Sequence, residues 1–405
     1  MPLKDLATID DLALEEKRVF LRVDFNVPVD REGRISDPAK IKDAVPTIKE
    51  LLDKGASLVI GTHQGRPGGY DFLSTEQHAR YLSEFLGVEV EHVDEVLSKR
   101  VQERIKALRS GEVIMLENLR FAAEENIELP LPKLLKTNLV RRLSPLFDVY
   151  VNDAFQTAHR GHPSLVAFPY LMPSAAGRLM ERMIREMAEI DSIPGRRTFL
   201  LGGSKVEDKL KVAIHSLRNR RAEVVLTGGL VGALLAYAAG NRIGTTLDYI
   251  KDLDILVPAA KEVLEEFRGR IYYPVDFIVV RNGDRRVVPV YGVPDDAEIV
   301  DIGPGTLEIY KEKLEESDLI IANGPMGVFE DPEFRKGTLE LIKMAERSSG
   351  EFVFCGGHLS SAARSLGLER NSRVYTAGGA ILYSLAGLPL PAMKALREGQ
   401  RLVRR

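Results

Sequence analysis

The 405-residue chain holds one cysteine, few side-chain amides, no long uninterrupted apolar run and no marked excess of either charge. Cys355 alone cannot form an intrachain disulfide, which fits a reducing compartment. The balance of 56 Lys+Arg against 59 Asp+Glu, a net charge of -3, argues against a dedicated nucleic-acid binder, which would be basic. Only the tail Arg401-Leu402-Val403-Arg404-Arg405 is basic, and a short basic tail is ordinarily solvated. The longest uncharged stretch, 224–241, is broken by Gly228-Gly229, Gly232 and Gly240, so it reads as buried strand, turn and helix rather than a membrane span. Lys4, Asp5, Asp10 and Asp11 stand where a signal peptide needs an apolar run, so the expected location is cytoplasmic. Five Gln and ten Asn beside 28% charged residues match a thermophile composition.

What is present is a 44% hydrophobic chain long enough for two domains, possibly three. In the first half, apolar β-rich runs end in charged or amide residues. Val19–Val23 runs into Asp24-Phe25-Asn26, and Ser57–Ile60 into Gly61-Thr62-His63-Gln64-Gly65-Arg66. Val113–Leu116 runs into Glu117-Asn118-Leu119-Arg120, and Phe147–Val151 into Asn152-Asp153 and then His159-Arg160. In the second half the runs end in glycine pairs: Gly202-Gly203, Gly228-Gly229, Gly356-Gly357 and Gly378-Gly379, with Asn323-Gly324-Pro325 as a related ending. Helix-period stretches at 44–54, 75–85, 209–218 and 334–345 alternate with these runs. Alternation of this kind predicts two doubly wound, Rossmann-like α/β domains with parallel sheets. The predicted boundaries are a first domain 1–172, a connecting helix 173–191, a second domain 192–376, and a segment 377–405 returning to the first domain.

Ligands of open parallel sheets bind beyond the carboxyl ends of the strands. There the first half gathers His63, Arg66, Arg120, His159, Arg160 and His162 with Asp24, Asn26 and Asn152. Arginine forks suit phosphate or carboxylate, so a small, strongly anionic substrate is expected; for any single Arg, a local salt bridge is the competing explanation. In the second half, glycine-opened helix N-termini let amides approach phosphate, although turns and close packing also select glycine. Lys205 and Lys209, four residues apart, would share a helix face and hold an anion between them, unless they are merely solvated. Neither a P-loop, a Gly-x-Gly-x-x-Gly after a strand, a nucleophile elbow nor a zinc-ligand spacing occurs, and His92 and His215 receive no role. A polyphosphate domain and an anion domain joined by a linker helix point to phosphoryl transfer, with a hinge to exclude water.

The chain resembles the phosphoglycerate kinase family along essentially its whole length. The resemblance rests on 22–28 (RVDFNVP), 63–67 (HQGRP), 116–121 (LENLRF), 151–160 (VNDAFQTAHR), 201–209 (LGGSKVEDK), 323–330 (NGPMGVFE) and the glycine turns at 356–357 and 378–379. HQGRP and the Gly-Gly-His turn look like the archaeal branch. The resemblance implies reversible transfer of the acyl phosphate of 1,3-bisphosphoglycerate to ADP, giving ATP and 3-phosphoglycerate, with Mg²⁺ carried as Mg-ADP or Mg-ATP. It implies phosphoglycerate contacts at Asp24, Asn26, Lys40, His63, Arg66, Arg120 and Arg160, and catalytic roles for Lys205, Lys209 and Lys40. Nucleotide contacts are implied at Lys205, Gly228, Gly229, Asn323, Glu330, Gly356, Gly357, His358 and Leu359. No obligate protein partner, nucleic acid or membrane is implied. Three positions depart from the family pattern. Lys40 replaces an arginine, which keeps the charge but loses the fork. His358 replaces an aspartate near Mg²⁺, a cation that prefers oxygen, so no direct protein ligand for the metal is expected. Gln156 stands where glycine is usual. A catalytically silent scaffold of this family, or a kinase for another small phosphorylated acid, are the alternatives.

Overall fold

The apolar runs of the first half become strands β1 (Arg18–Arg22), β2 (Ser57–Gly61), β3 (Val90–Val93), β4 (Val113–Leu116), β5 (Val149–Asn152) and β6 (Ser174–Ala176). In the computed structural model, which describes residues 6–403, they form one sheet in the order β3-β4-β2-β1-β5-β6 with every pairing parallel. β2, β4 and β5 are buried throughout, as a sheet covered on both faces requires. Arg22 is in register with both Gly61 and Asn152, so the residues following β1, β2 and β5 emerge together at one edge.

Helices cover this sheet where the 3.6 period puts an apolar stripe. Glu76–Leu86 buries His78, Ala79, Leu82 and Leu86 and stops at Gly87, whose left-handed φ of 74° lets its N–H close onto Ser83 O. The stretch read as a helix at 44–54 is the helix Val45–Asp53, and a short helix that was not read, Ala39–Asp43, precedes it and places Lys40 on a helical turn. The long helical pattern at 174–191 splits as well. Ser174–Ala176 pairs with β5 as a strand, and only Arg178–Asp191 is helix, because small residues carry no periodicity to betray the strand.

The second half supplies β7 (Arg197–Leu201), β8 (Val224–Thr227), β9 (Ile271–Tyr272), β10 (Asp276–Arg281), β11 (Asp284–Pro289), β12 (Glu298–Ile302), β13 (Leu319–Asn323), β14 (Glu351–Cys355) and β15 (Ser372–Tyr375). Six of these form a second parallel sheet, β15-β14-β13-β7-β8-β9. The other three form an antiparallel sheet, β11-β10-β12, absent from the sequence reading. Its hairpin turns at Asn282-Gly283, both at positive φ (51° and 82°), the conformation an Asn-Gly turn favours.

Residues to Glu189 together with those from Pro389 form one compact unit, and Ile190–Leu388 form another. Each has its own core, around Phe25, Ile48, Leu58 and Met115 in the first and Leu226, Ile320, Phe352 and Phe354 in the second. The C-terminal helix Pro391–Val403 packs on the first unit, where Ala392 N–H donates to Ala158 O at 3.1 Å and a Cβ on Gly399 would fall 2.5 Å from Ser174 Cβ. The return to the first unit starts at Pro389 rather than at 377, because helix Gly379–Leu385 belongs to the second unit, with Tyr383 donating to Asp208 at 3.1 Å. Arg401 pairs with Glu398; Lys4, Asp5, Arg404 and Arg405 lie outside the described residues.

Candidate functional site

In the first unit the loops after β1, β2 and β4 are tied together by amide side chains. Asn118 donates to Gln64 O at 2.7 Å and Leu73 O at 2.8 Å, while its own carbonyl accepts Arg120 N–H at 3.1 Å. Asn26 accepts Gly65 N–H at 2.9 Å. Gly65, at φ 64°, leaves no room for a side chain: a Cβ would sit 2.3 Å from Asp71 O. These bonds hold Arg120 near Gly65, whose carbonyl it reaches at 2.5 Å, and define where Arg66 departs from the sheet. Among the described residues, no carboxylate lies within ion-pair reach of Arg66, Arg120 or Arg160, which removes the local salt-bridge explanation for all three. Lys40 Nζ stands 3.7 Å from Asp24 Oδ2.

Beneath this surface runs a buried network that the sequence reading missed. Arg22 Nε donates to Ser164 Oγ at 2.7 Å, its guanidinium lies 3.9 Å from Glu125 Oε1, and Glu125 also accepts Ser164 N–H at 3.0 Å. Arg22 approaches His63 Nδ1 at 3.3 Å. The signal available in the sequence was a charged residue inside the apolar run Val19–Val23. Burial pushes His63 far below the usual histidine range, with Arg22, Arg120 and Lys40 adding to the effect against Asp24, so the ring is neutral. His162 falls to about 3, through burial and then Arg120 and Arg22. Burial also lowers Arg120 to about 10, followed by repulsion from Arg22 and Arg66; it stays cationic at neutral pH. Burial opposes ionisation of Asp24, but Lys40, His63, the Asn26 amide and Arg22 outweigh it and keep its carboxyl low. Mutually repelling cations collected in one place are stabilised by an anion. Asn152 is committed to local structure, accepting Ala154 N–H at 2.9 Å.

In the second unit, the glycine pairs let three loops touch. Gly203 N–H donates to Pro325 O at 2.7 Å, Gly202 N–H to Asn323 O at 2.9 Å, and Gly229 N–H to Met326 O at 2.6 Å. A Cβ on Gly324 would lie 2.2 Å from Gly202 O. Close packing therefore requires glycine at Gly202 and Gly229, and a left-handed φ of 81° favours it at Gly203; the amides of all three are already engaged. Asn323 also makes a local bond, its side-chain amide donating to Cys355 O at 2.8 Å. Gly357 differs: it opens helix Gly357–Ser365, and an added Cβ there would meet nothing within 4 Å. His358 follows it at the surface, and the Leu359 side chain is in the core.

These loops enclose a cavity of about 470 Å³ lined by Gly203, Gly229, Leu230, Met326, Val328, Glu330 and His358 among others. That volume is in the range of small-molecule sites. Tyr249, Glu298 and Ile299 also line it, contributed by the unforeseen antiparallel sheet and the turn before it. Lys205 and Lys209 are unlike each other: Lys205 caps helix Val206–Arg218 at the surface, whereas Lys209 is buried. Burial lowers Lys209 to about 7, Lys205 adding to this against Cys355 and Asp208. Cys355, buried and raised to about 12, is inert. His358 Nε2 lies 3.5 Å from Glu330 Oε1, and no three His, Cys, Asp or Glu side chains among the described residues converge on a metal position.

Fold and site together define a two-unit α/β protein that gathers cations at one parallel sheet and a glycine-walled cavity at the other. The family model described as phosphoglycerate kinase matches residues 9–388. The chain is similar to phosphoglycerate kinase from Thermococcus sibiricus, 43% identical over 397 residues and covering 96% of each. It is 44% identical over 400 residues to that from Sulfurisphaera tokodaii, covering 97% of this chain and 96% of the relative. The crystal structure of phosphoglycerate kinase from Pyrococcus horikoshii superposes with a TM-score of 0.81 at 41% identity, covering 98% of this chain and all of the other. The chain belongs to the phosphoglycerate kinase family, and by that membership it is an enzyme of phosphoryl transfer. The scaffold alternative is not favoured. Among the described residues, no helix is long and apolar enough to cross a membrane.

Proposed function

We propose that the protein transfers a phosphoryl group reversibly between 1,3-bisphosphoglycerate and ADP, with phosphoglycerate held at the first unit and nucleotide at the second. The observation that carries this assignment is the set of cations without carboxylate partners, Arg66, Arg120 and Arg160, at the strand ends of a chain of this family. Arg66, Arg120, Arg160 and Lys40 would neutralise phosphate and carboxylate, while Asp24 and Asn26 orient hydroxyls. Neutral His63 serves as a hydrogen-bonding wall rather than a charge. Lys205, Lys209 and the open helix start at Gly357 would take the nucleotide phosphates, with Glu330 at the ribose.

In the direction of ATP consumption, a carboxylate oxygen of 3-phosphoglycerate attacks the γ-phosphorus. The new O–P bond forms as the bridging O–P bond to the β-phosphate breaks, and the electron pair leaves on ADP. The nucleophile is already ionised at neutral pH, so no general base is needed, and fixed positive charge along the transfer path supplies the catalysis. We assign Mg²⁺ to the nucleotide as substrate, its coordination filled by phosphate oxygens and water, because an imidazole facing a carboxylate is a poor ligand for so hard a cation. Hinge movement at the two chain crossings is assigned the task of bringing the ligands together. A coupled assay with 3-phosphoglycerate and MgATP tests the proposal: folded protein that turns over neither at any temperature it survives would overturn it.

A further inference from the structure

The cavity wall built by the antiparallel sheet carries a side chain that phosphate binding does not require. β12 is an edge strand, and it brings Glu298 and Ile299 to the cavity beside Thr246 and Tyr249. The 3₁₀ turn Gly244–Tyr249 is fixed against this strand: Thr246 Oγ1 accepts Ile299 N–H at 2.8 Å, and Thr245 N–H donates to Ala297 O at 2.9 Å. The Tyr249 phenol stands beside the Glu298 carboxylate, whose charge pushes the phenol up. Leu230, Ile299, Met326 and Val328 make much of the remaining lining apolar, a surface for the faces of a flat ring. The helix that opens at Gly357, assigned above to the phosphates, reaches the same cavity elsewhere through His358. A base placed in the apolar part would find at its edge an ionisable acceptor that can donate nothing when charged.

We propose that Glu298 reads the nucleobase edge and selects rings presenting N–H donors, guanine above all. Guanine offers N1–H and the N2 amine side by side, matching the two oxygens of a carboxylate. Adenine offers one exocyclic amine and hypoxanthine only N1–H. Xanthine places a carbonyl where guanine has its amine, and so meets the carboxylate acceptor to acceptor. The inference rests on the nucleotide assignment of this cavity made above.

The test compares kcat/KM of the full chain for the Mg²⁺ complexes of ATP, GTP, ITP and XTP with 3-phosphoglycerate. GTP should exceed ITP by about tenfold, the equivalent of roughly 1.4 kcal/mol, with XTP poorest. Glu298→Gln should bring the GTP-to-ITP ratio close to parity and raise XTP relative to GTP, since an amide can donate to the xanthine carbonyl. A ratio is insensitive to how much of the variant folds. Equal use of GTP and ITP by the unaltered protein, or a ratio that Glu298→Gln and Glu298→Ala both leave in place, overturns base reading while ATP turnover upholds the kinase assignment. If no triphosphate reacts, the kinase assignment fails instead, and calorimetric titration with GDP and IDP still decides: equal affinities overturn base reading.

Discussion

Lys40, which the sequence reading takes as a replacement for the family's arginine, has its amine 3.7 Å from Asp24, which places it within the cationic group rather than away from it. Lys40→Arg should therefore leave kcat unchanged or raise it; a large fall would show that the shorter, pointlike charge is what the pocket accommodates. Lys205→Ala should lower kcat by about 10²–10³ while phosphoglycerate affinity is retained, the pattern of a charge that acts on the transferring group. Lys209 titrates near 7, so kcat/KM for nucleotide should fall as pH rises through about 7, when the ammonium is lost. Bound phosphate favours the protonated amine, so kcat itself should hold to higher pH. A pH–rate profile in which kcat/KM stays flat to pH 9 would show that Lys209 is not the charge that matters. Lys205 and Lys209 were legible because they follow the Gly202-Gly203 pair, whereas Lys40 was reached through the family resemblance alone. Their environments were not: Lys205 and Lys209 are four residues apart, yet one is solvated and the other buried.

Loops and turns carry the next level of the argument. Gly324, at φ 85° with a Cβ position 2.2 Å from Gly202 O, holds two strand ends in contact. Gly324→Ala should cost well over about 1 kcal/mol in stability and weaken nucleotide binding, leaving phosphoglycerate binding intact, as denaturant titration and ligand calorimetry would show. The network under the cationic loops is equally exacting. Glu125→Ala leaves the buried Arg22 charge without its carboxylate and should cost about 3–5 kcal/mol, whereas an exposed pair such as Arg242–Asp295 should cost less than about 1 kcal/mol. The strand-and-glycine pattern revealed the parallel sheets. It concealed the antiparallel one, although Asn282-Gly283 is a hairpin signal, because strand β11 is exposed along nearly its whole length and has no apolar alternation to announce it.

Across the whole molecule, the two units differ in how they should respond to acid. His78, lowered to about 4, and His162, lowered to about 3, are both in the first unit, as is His63, which is also held neutral. The unfolded chain protonates these rings near 6.5, so their contribution to stability is present above that pH and is lost as pH falls toward 4. Each unit also holds one aspartate raised by burial to about 6, Asp153 in the first and Asp301 in the second; each works in the opposite sense, favouring the native state on acidification. The first unit should therefore lose amide-exchange protection before the second between pH 6.5 and 4.5; simultaneous loss would mean that the histidines do not set acid stability. The chain's low amide content and its similarity to relatives from thermophiles place such measurements at elevated temperature.

By itself the sequence determined the alternation of strand and helix and the family, and suggested an anion-binding half and a nucleotide half, because hydrophobic period and strand-end chemistry are local properties. It could not decide which glycines serve a ligand and which serve a neighbouring loop, since Gly203 and Gly357 look alike until the chain returns with Pro325 beside one and open space beside the other. Nor could it show that Arg22 and Glu125, some hundred residues apart, share a buried bond to Ser164, or that Glu298 lines the cavity of the second unit. Burial, and with it the charge state of Lys209 and His63, depends on what packs from distant parts of the chain, and only the tertiary structure sets that.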